Sequence, residues 1–417
     1  MNSFKINLLS FLLLFGFMFA AFARSDEDLQ QRAAKIHQRI LTIDTHVDTP
    51  LHMLDRDFDV SQRHDPRERG VKLDFPRMRE GGLDAAFFAV FLWQGPLTEE
   101  GYQAAQRRAF EKFSIIRSAI HANQTQAGLA LTSADARRLK RQGRLAIYIG
   151  VENAYPIAYD ISMVQTFYDL GARYIGLTHT LNNQVADAST DEAGPKHNGL
   201  SDFGKKVVRE MNRLGMIIDV SHMSDEAFYD VLAVSQAPVI ASHSNARALA
   251  NHPRNIDDDM IRALAANGGV LQLSILSDFV KEMPSNPQRD SAMAALRVRF
   301  NNFQGLTDVQ LAEARRERFA INIRYPRPLA MVSDLVDHID HVVNLVGIDY
   351  VGIGTDFDGG GALKDCFDAS ELGNITLEML RRGYSEREIE KIWSGNFLRV
   401  FRENERLARR LGRQGKH

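Results

Sequence analysis

A (β/α)8 TIM-type barrel of the α/β class is the fold this 417-residue sequence predicts, on three observations. Short apolar runs alternate with longer amphipathic segments along the chain, as parallel strands alternate with helical crossovers. Eight such runs occur, the number that closes a barrel. Histidines and carboxylates stand at the C-terminal ends of these runs, where barrels gather their active sites. A doubly wound open sheet is the rival. It lacks its usual signal, because neither G-x-G-x-x-G nor a phosphate-binding P-loop follows a strand.

The strand-like runs, rich in β-branched and aromatic residues, are Ile40–Asp48, Ala85–Trp93, Leu145–Glu152, Tyr174–His179, Met216–His222, Val239–His243, Gly269–Leu273 and Tyr350–Asp356. Ser201–Leu214 has a helical period, with apolar Phe203, Val207, Val208, Met211 and Leu214 and a stop at Gly215. Ile256–Ala266 and Ala330–Val346 fit the same period. Ser385–Arg402 opens on Ser385 and Glu388 at capping-box spacing, and Thr307 with Gln310 repeats that signal. Lys281–Tyr325, charged and helix-rich, follows the seventh strand as a candidate lid.

Composition is that of an ordinary globular chain, 44% hydrophobic and 25% charged. A formal net charge of −2 gives nucleic-acid binding no support. Lys5, the apolar run Leu8–Phe19 and Ala21-Phe22-Ala23 read as a signal peptide over residues 1–23. Residues 24–417 then form one exported domain, periplasmic or secreted, with no stable membrane anchor. The single cysteine, Cys366, allows no internal disulfide, so packing and any bound metal must supply stability.

The stretch IDTHVDTP places His46 and Asp48 two apart, on one face of a strand. A buried carboxylate there costs several kcal/mol unless something binds it. A hydrogen-bonded His–Asp pair would explain HxD alone, but the pattern recurs. Glu152, His179, His222, His243 and Asp356 each close one of the later runs. Imidazoles and carboxylates without thiolate suit zinc and its neighbours. His46, Asp48, Glu152, His222 and His243 are more ligands than one catalytic zinc needs. Two ions sharing a carboxylate would use all five, and Glu152 is the natural bridge. Ions about 3.5–4 Å apart can hold a hydroxide and polarise a carbonyl, which is equipment for hydrolysis.

With these residues in view, the chain resembles the membrane (renal-type) dipeptidases, zinc metallopeptidases of the amidohydrolase-like barrels. The matching stretches are IDTHVDTP, GVENA, LTHTLNNQVAD, NGLSDFGKKVVREMNRLGMIIDVSHMS, SHSNARALANHPRNIDDDMI, NGGVLQL, GIGTDFDG and SGNFLRVF. They run from about residue 40 to about residue 402. The resemblance implies two zinc ions: His46 and Asp48 on one, His222 and His243 on the other, Glu152 bridging. It implies that His179 stabilises the oxyanion, that Arg254 holds the substrate and that Asp356 is the acid/base. It further implies a homodimer and a dipeptide substrate cleaved by a metal-bridging hydroxide, and leaves open whether a C-terminal D-residue is accepted. Two departures fall where side-chain preference is set: NAY follows Glu152, and LSILSDF follows strand seven, where many relatives place an aromatic residue on the substrate.

Other residues stand outside this set. Asp358 competes with Asp356, while His338 and His341 stand three apart on a helical pattern, where an amphipathic surface helix explains them better than a second metal site. His37, His52, His64, His121, His197 and His417 read as solvent-facing. Related barrels that hydrolyse lactones or phosphotriesters often bridge their metals with a carboxylated lysine. The strand ends here offer no lysine, which favours the dipeptidase branch over these and over a non-catalytic binding scaffold.

Overall fold

The computed structural model describes residues 27–414 apart from positions 56 and 304, so the expected signal peptide lies outside the described residues. Among the described residues nine parallel strands are formed: β1 (Ile43–Val47), β2 (Ala85–Phe91), β3 (Ala127–Leu129), β4 (Leu145–Glu152), β5 (Ala172–Gly176), β6 (Ile217–Asp219), β7 (Ile240–Ser244), β8 (Val270–Leu273) and β9 (Val351–Ile353). Eight follow one another around the barrel in the order β1-β2-β4-β5-β6-β7-β8-β9. These are the eight predicted runs. The ninth, β3, is an addition: it pairs with β4 at Leu145–Ile147, below the part of that edge taken by β5. Its sequence, AGL, is too short to show a period.

The seam between first and last strands is closed by backbone. Asp48 N donates to Phe357 O at 2.8 Å, and Asp356 N donates to His46 O at 3.0 Å. A bulge makes β1 fit. Asp44 pairs with Ala86 and Val47 with Phe88, so β1 spends one more residue than β2 over that span. The extra residue flips the alternation.

The barrel is filled from below. Ile43, Phe87, Tyr148, Tyr174, Ile217, Ile240 and Val270 meet Phe397 and Phe401 of the last helix in one buried cluster. Phe87 stacks on Tyr148 at 4.7 Å and on Tyr174 at 5.1 Å, with the edge of Phe397 at 5.2 Å. Each such ring contributes about 1.5–3 kcal/mol by leaving water. Gly150 makes this stack possible, since a Cβ there would lie 2.1 Å from the Tyr174 ring. Gly150→Ala is expected to lower stability by about 1–3 kcal/mol, the usual cost of overpacking, read as a reduced melting temperature.

Predicted helices appear at Asp202–Leu214, Asp258–Ala266 and Val332–Val346. Caps form as the sequence indicates: Ser201 accepts from Gly204 N, and Gly215 takes the left-handed stop with φ 75°. The Ser385 and Thr307 capping boxes are both made. The helix expected over Ser385–Arg402 differs. It runs Glu386–Glu390, widens to a π segment at Lys391–Gly395, and continues as Asn396–Gln414. The segment ENERLARRLGRQ holds no proline and only Gly412, and nothing in it stops a helix at Arg402.

The candidate lid is a pair of helices, Pro287–Arg299 and Asp308–Arg324, around a small core of Leu296, Phe300, Leu306 and Ala314. It is anchored over the barrel mouth. Arg315 Nη1 donates to Leu51 O at 2.8 Å after β1, and Arg318 Nη2 to Gly359 O at 3.1 Å after β9. Phe303 lies 5.6 Å from Trp93 after β2.

Candidate metal centre

The bulge in β1 turns His46 toward the barrel axis, where it meets Glu152 from the end of β4. His46 Nε2 lies 3.5 Å from Glu152 Oε2 and 3.7 Å from Asp48 Oδ2. The other carboxylate oxygen faces a different group. Glu152 Oε1 lies 2.9 Å from His222 Nε2, 3.5 Å from His243 Nε2 and 3.8 Å from His179 Nε2. His222 and His243 follow β6 and belong to β7, and their Nε2 atoms are 2.9 Å apart. Two residues reach the centre from beyond their strands in left-handed conformations, His222 at φ 72° and Asp356 at φ 61°. For non-glycine residues these are sparsely occupied backbone states, of the kind that collect at functional sites.

Among the described residues, three overlapping sets bring ligand atoms within 4.8 Å of one another. They are His46, Glu152 and His243; Glu152, His179 and His222; and His46, Asp48 and Asp356. All seven predicted titratable site residues are therefore brought together. His179 and Asp356, set outside the ligand list on sequence, lie at ligand spacing too.

Electrostatics fit a cation. Burial works to raise the Glu152 carboxyl, but the His46 charge and hydrogen bonds from His222 and His243 outweigh it and hold it well below the usual range. Burial, then the charges of Asp48 and Glu152, push Asp356 well above its ordinary value. Carboxylates crowded this closely repel unless positive charge lies between them. His46 Nε2, which faces Glu152, and Asp48 Oδ1 are buried and lack hydrogen-bond partners. Orphaned buried donors and acceptors are costly, and a metal ion would satisfy both.

Residues behind the ligands fix their orientation. Tyr174 Oη sits 2.8 Å from His46 Nδ1, which leaves Nε2 to the centre. Ser242 Oγ lies 2.8 Å from His243 Nδ1 and donates to Asp219 Oδ2 at 2.6 Å, so the second imidazole is held in the same way. Tyr174 escaped notice in the sequence, because its partner is 128 residues away. The usable signal is Gly150, the gap in the neighbouring strand that admits the ring. Tyr174→Phe is expected to weaken metal affinity about 10- to 100-fold while the fold persists, as metal titration of the purified protein would read.

Arg254 is buried, with Nη2 donating to His243 O at 3.3 Å and Nη1 left without a partner. Phe279 stacks under its guanidinium at 5.4 Å. Thus LSILSDF does supply an aromatic ring, and it supports the arginine. His179 is walled by Phe91 at 4.6 Å and Trp93 at 5.8 Å. Burial lowers its pKa to about 4, so the ring is neutral in use. Thr180 Oγ1 lies 2.7 Å from Nδ1; with the hydroxyl donating, the ring proton sits on Nε2, toward the centre.

Other sequence readings are resolved here. Asp358 is held by Thr49 Oγ1 at 2.7 Å and Lys72 N at 2.6 Å, a structural role. His338 is fully buried, not on a helix surface: its ring contacts Ala246 N and Val280 O. His341 contacts Asp258 Oδ1 at 2.7 Å, so the two rings have separate partners. His37 is also buried, between Thr376 Oγ1 at 2.7 Å and Gly81 O at 2.8 Å. His52, His64 and His197 are part-buried, His121 is exposed and His417 lies outside the described residues.

Comparisons with known proteins place this fold in a family. The family described as membrane dipeptidase (peptidase family M19) matches residues 30–415. Dipeptidase tcpJ of Claviceps purpurea is 32% identical over 358 residues, 84% of this chain and 74% of that protein. Dipeptidase 3 of Mus musculus is 31% identical over 92% of this chain and 68% of its own. The crystal structure of the probable dipeptidase PvdM from Pseudomonas aeruginosa superposes with a TM-score of 0.80 at 32% identity, covering 92% of this chain and all of that one. A barrel whose mouth gathers four histidines and three carboxylates thus shares its fold with a probable dipeptidase and its sequence with curated ones, and the chain belongs to the membrane dipeptidase family, peptidase family M19, as a metallo-dipeptidase.

Proposed function

We propose that the chain binds two divalent cations, zinc by its donor set, and hydrolyses dipeptides between them. One observation carries the reading. The two oxygens of Glu152 face different imidazole groups, Oε1 toward His222 and His243 and Oε2 toward His46. A carboxylate so placed is suited to bridge, with Asp48 completing the His46 side. When bound, such cations would polarise the scissile carbonyl and lower the pKa of a water between them.

The chain's own groups supply the rest. Arg254 Nη1, free of protein partners, receives the substrate carboxylate. Neutral His179 donates its Nε2 proton to the oxygen that gains charge as the carbonyl becomes tetrahedral. Asp356, ionised beside cations, accepts the proton of the attacking water and passes it to the leaving amine nitrogen, so the C–N bond breaks without net change at the enzyme. The lid over the mouth limits substrate length. These contacts grip carboxylate and carbonyl rather than the C-terminal Cα, so L-D dipeptides are included.

Metal analysis of purified protein with a panel of L-L and L-D dipeptides tests the proposal. Near two ions per chain, activity abolished by chelation and restored by zinc, and no competing lactonase activity are the expected results. One ion per fully active chain would overturn the bridge. Export after cleavage behind Ala23 and a homodimeric state are part of the proposal, supported by the leader-like residues 1–23 and by family resemblance. N-terminal sequencing of secreted protein and sedimentation would check them.

A further inference from the structure

The lid brings a second arginine to the mouth, at the loop after β9. Arg318 lies on the helix Asp308–Arg324 and donates Nη2 to Gly359 O at 3.1 Å. Gly359 abuts the centre directly: a Cβ there would lie 2.1 Å from Asp356 Oδ1 and 2.2 Å from Asp48 Oδ2. The hydrogen bond therefore stations a guanidinium one residue's width from the ligands. Arg318 is half-buried, and the acids that attract it are Asp356 and Asp48. Arg254 is attracted instead by Glu152 first and then Asp356. The two arginines thus reach the centre from different segments, the loop after β7 and the lid.

Other cations near the mouth are likewise tied to backbone carbonyls. Lys112 Nζ donates to Phe91 O, Lys72 Nζ to Gly361 O, and Arg315 to Leu51 O. Arg318 has that one hydrogen bond and keeps donors to spare. Three carboxylates face the centre, from Asp48, Glu152 and Asp356. Two divalent cations would more than neutralise them, leaving Arg318 in a positive pocket without a carboxylate of its own. Such a site favours an anion in the substrate.

We infer that Arg318 is a specificity-determining residue that receives a second carboxylate, the acidic side chain of a dipeptide whose main-chain carboxylate lies on Arg254. This rests on the dipeptidase reading above. A planar guanidinium can take a carboxylate by two parallel N–H···O bonds, which an amide side chain of equal size cannot match in charge.

The test compares isosteric pairs on the metal-loaded protein: Glu-Ala against Gln-Ala, and Ala-Glu against Ala-Gln. In one pair at least, kcat/KM should favour the acidic member about tenfold or more, mainly through KM. Arg318→Met should collapse that ratio toward unity, and Arg318→Lys should restore part of it. Arg315→Met, on the same helix and anchored to Leu51, should leave the ratio as it was, which separates carboxylate binding from lid placement. Equal rates within both pairs in the unaltered protein, or a ratio indifferent to Arg318→Met, would overturn the inference and leave the dipeptidase reading standing. Failure to cleave any dipeptide would remove both.

Discussion

Glu152→Gln should reduce kcat/KM by about 10^3-fold or more and leave the purified protein short of metal. Glutamine keeps the size of the side chain and removes its charge, which His46, His222 and His243 all face. The proposed bridging position needs two acceptor oxygens, and an amide offers one, so both halves of the proposed centre would lose a ligand at once. Removal of a single transition-state donor commonly costs 10^2–10^3; loss of the bridge removes the attacking water's activation as well. Metal content by atomic emission and initial rates with Ala-Ala check this together. Full metal loading with normal turnover would assign the bridge elsewhere.

Asp356→Asn should give a different signature. Proton transfer by a placed carboxylate contributes about 10^2–10^4, so kcat should fall by that factor while KM and metal content hold. Asp356 stands within ligand spacing of His46 and Asp48, which makes the metal measurement decisive. Retained metal with lost kcat assigns a proton shuttle; lost metal makes Asp356 a ligand. Its left-handed backbone at φ 61° is fixed by the N–H bond to His46 O, and the asparagine tolerates that conformation well.

Much of the barrel and of the side-chain cluster at its mouth was legible because both are written in short-range pattern. Strand runs such as LAIYIGVE announce themselves by composition, and a chargeable residue ending such a run is conspicuous. What stayed hidden depends on contacts distant in sequence. His46 faces the axis through a bulge that appears only once β1 is paired with β2. Tyr174 orients His46 from another strand. Arg318 reads as one more charge on a polar helix until its carbonyl partner at Gly359 is seen. The burial of His37 and His338 was missed for a related reason: each is satisfied by one or two groups far along the chain, and a lone histidine in an amphipathic segment does not declare its side.

The barrel's seam has a consequence for biogenesis. His46 and Asp356 are tied through backbone, and Thr355 donates to Asp44 across 311 residues of chain. A nascent polypeptide emerging from the ribosome or a translocation pore therefore holds one half of its catalytic pocket long before the other exists. Contacts of such separation wait for both partners to be synthesised, and pairing across so long a loop is slow. Proteolytic power is then withheld until synthesis is nearly finished, and a prematurely terminated product that lacks the ninth strand should be inert.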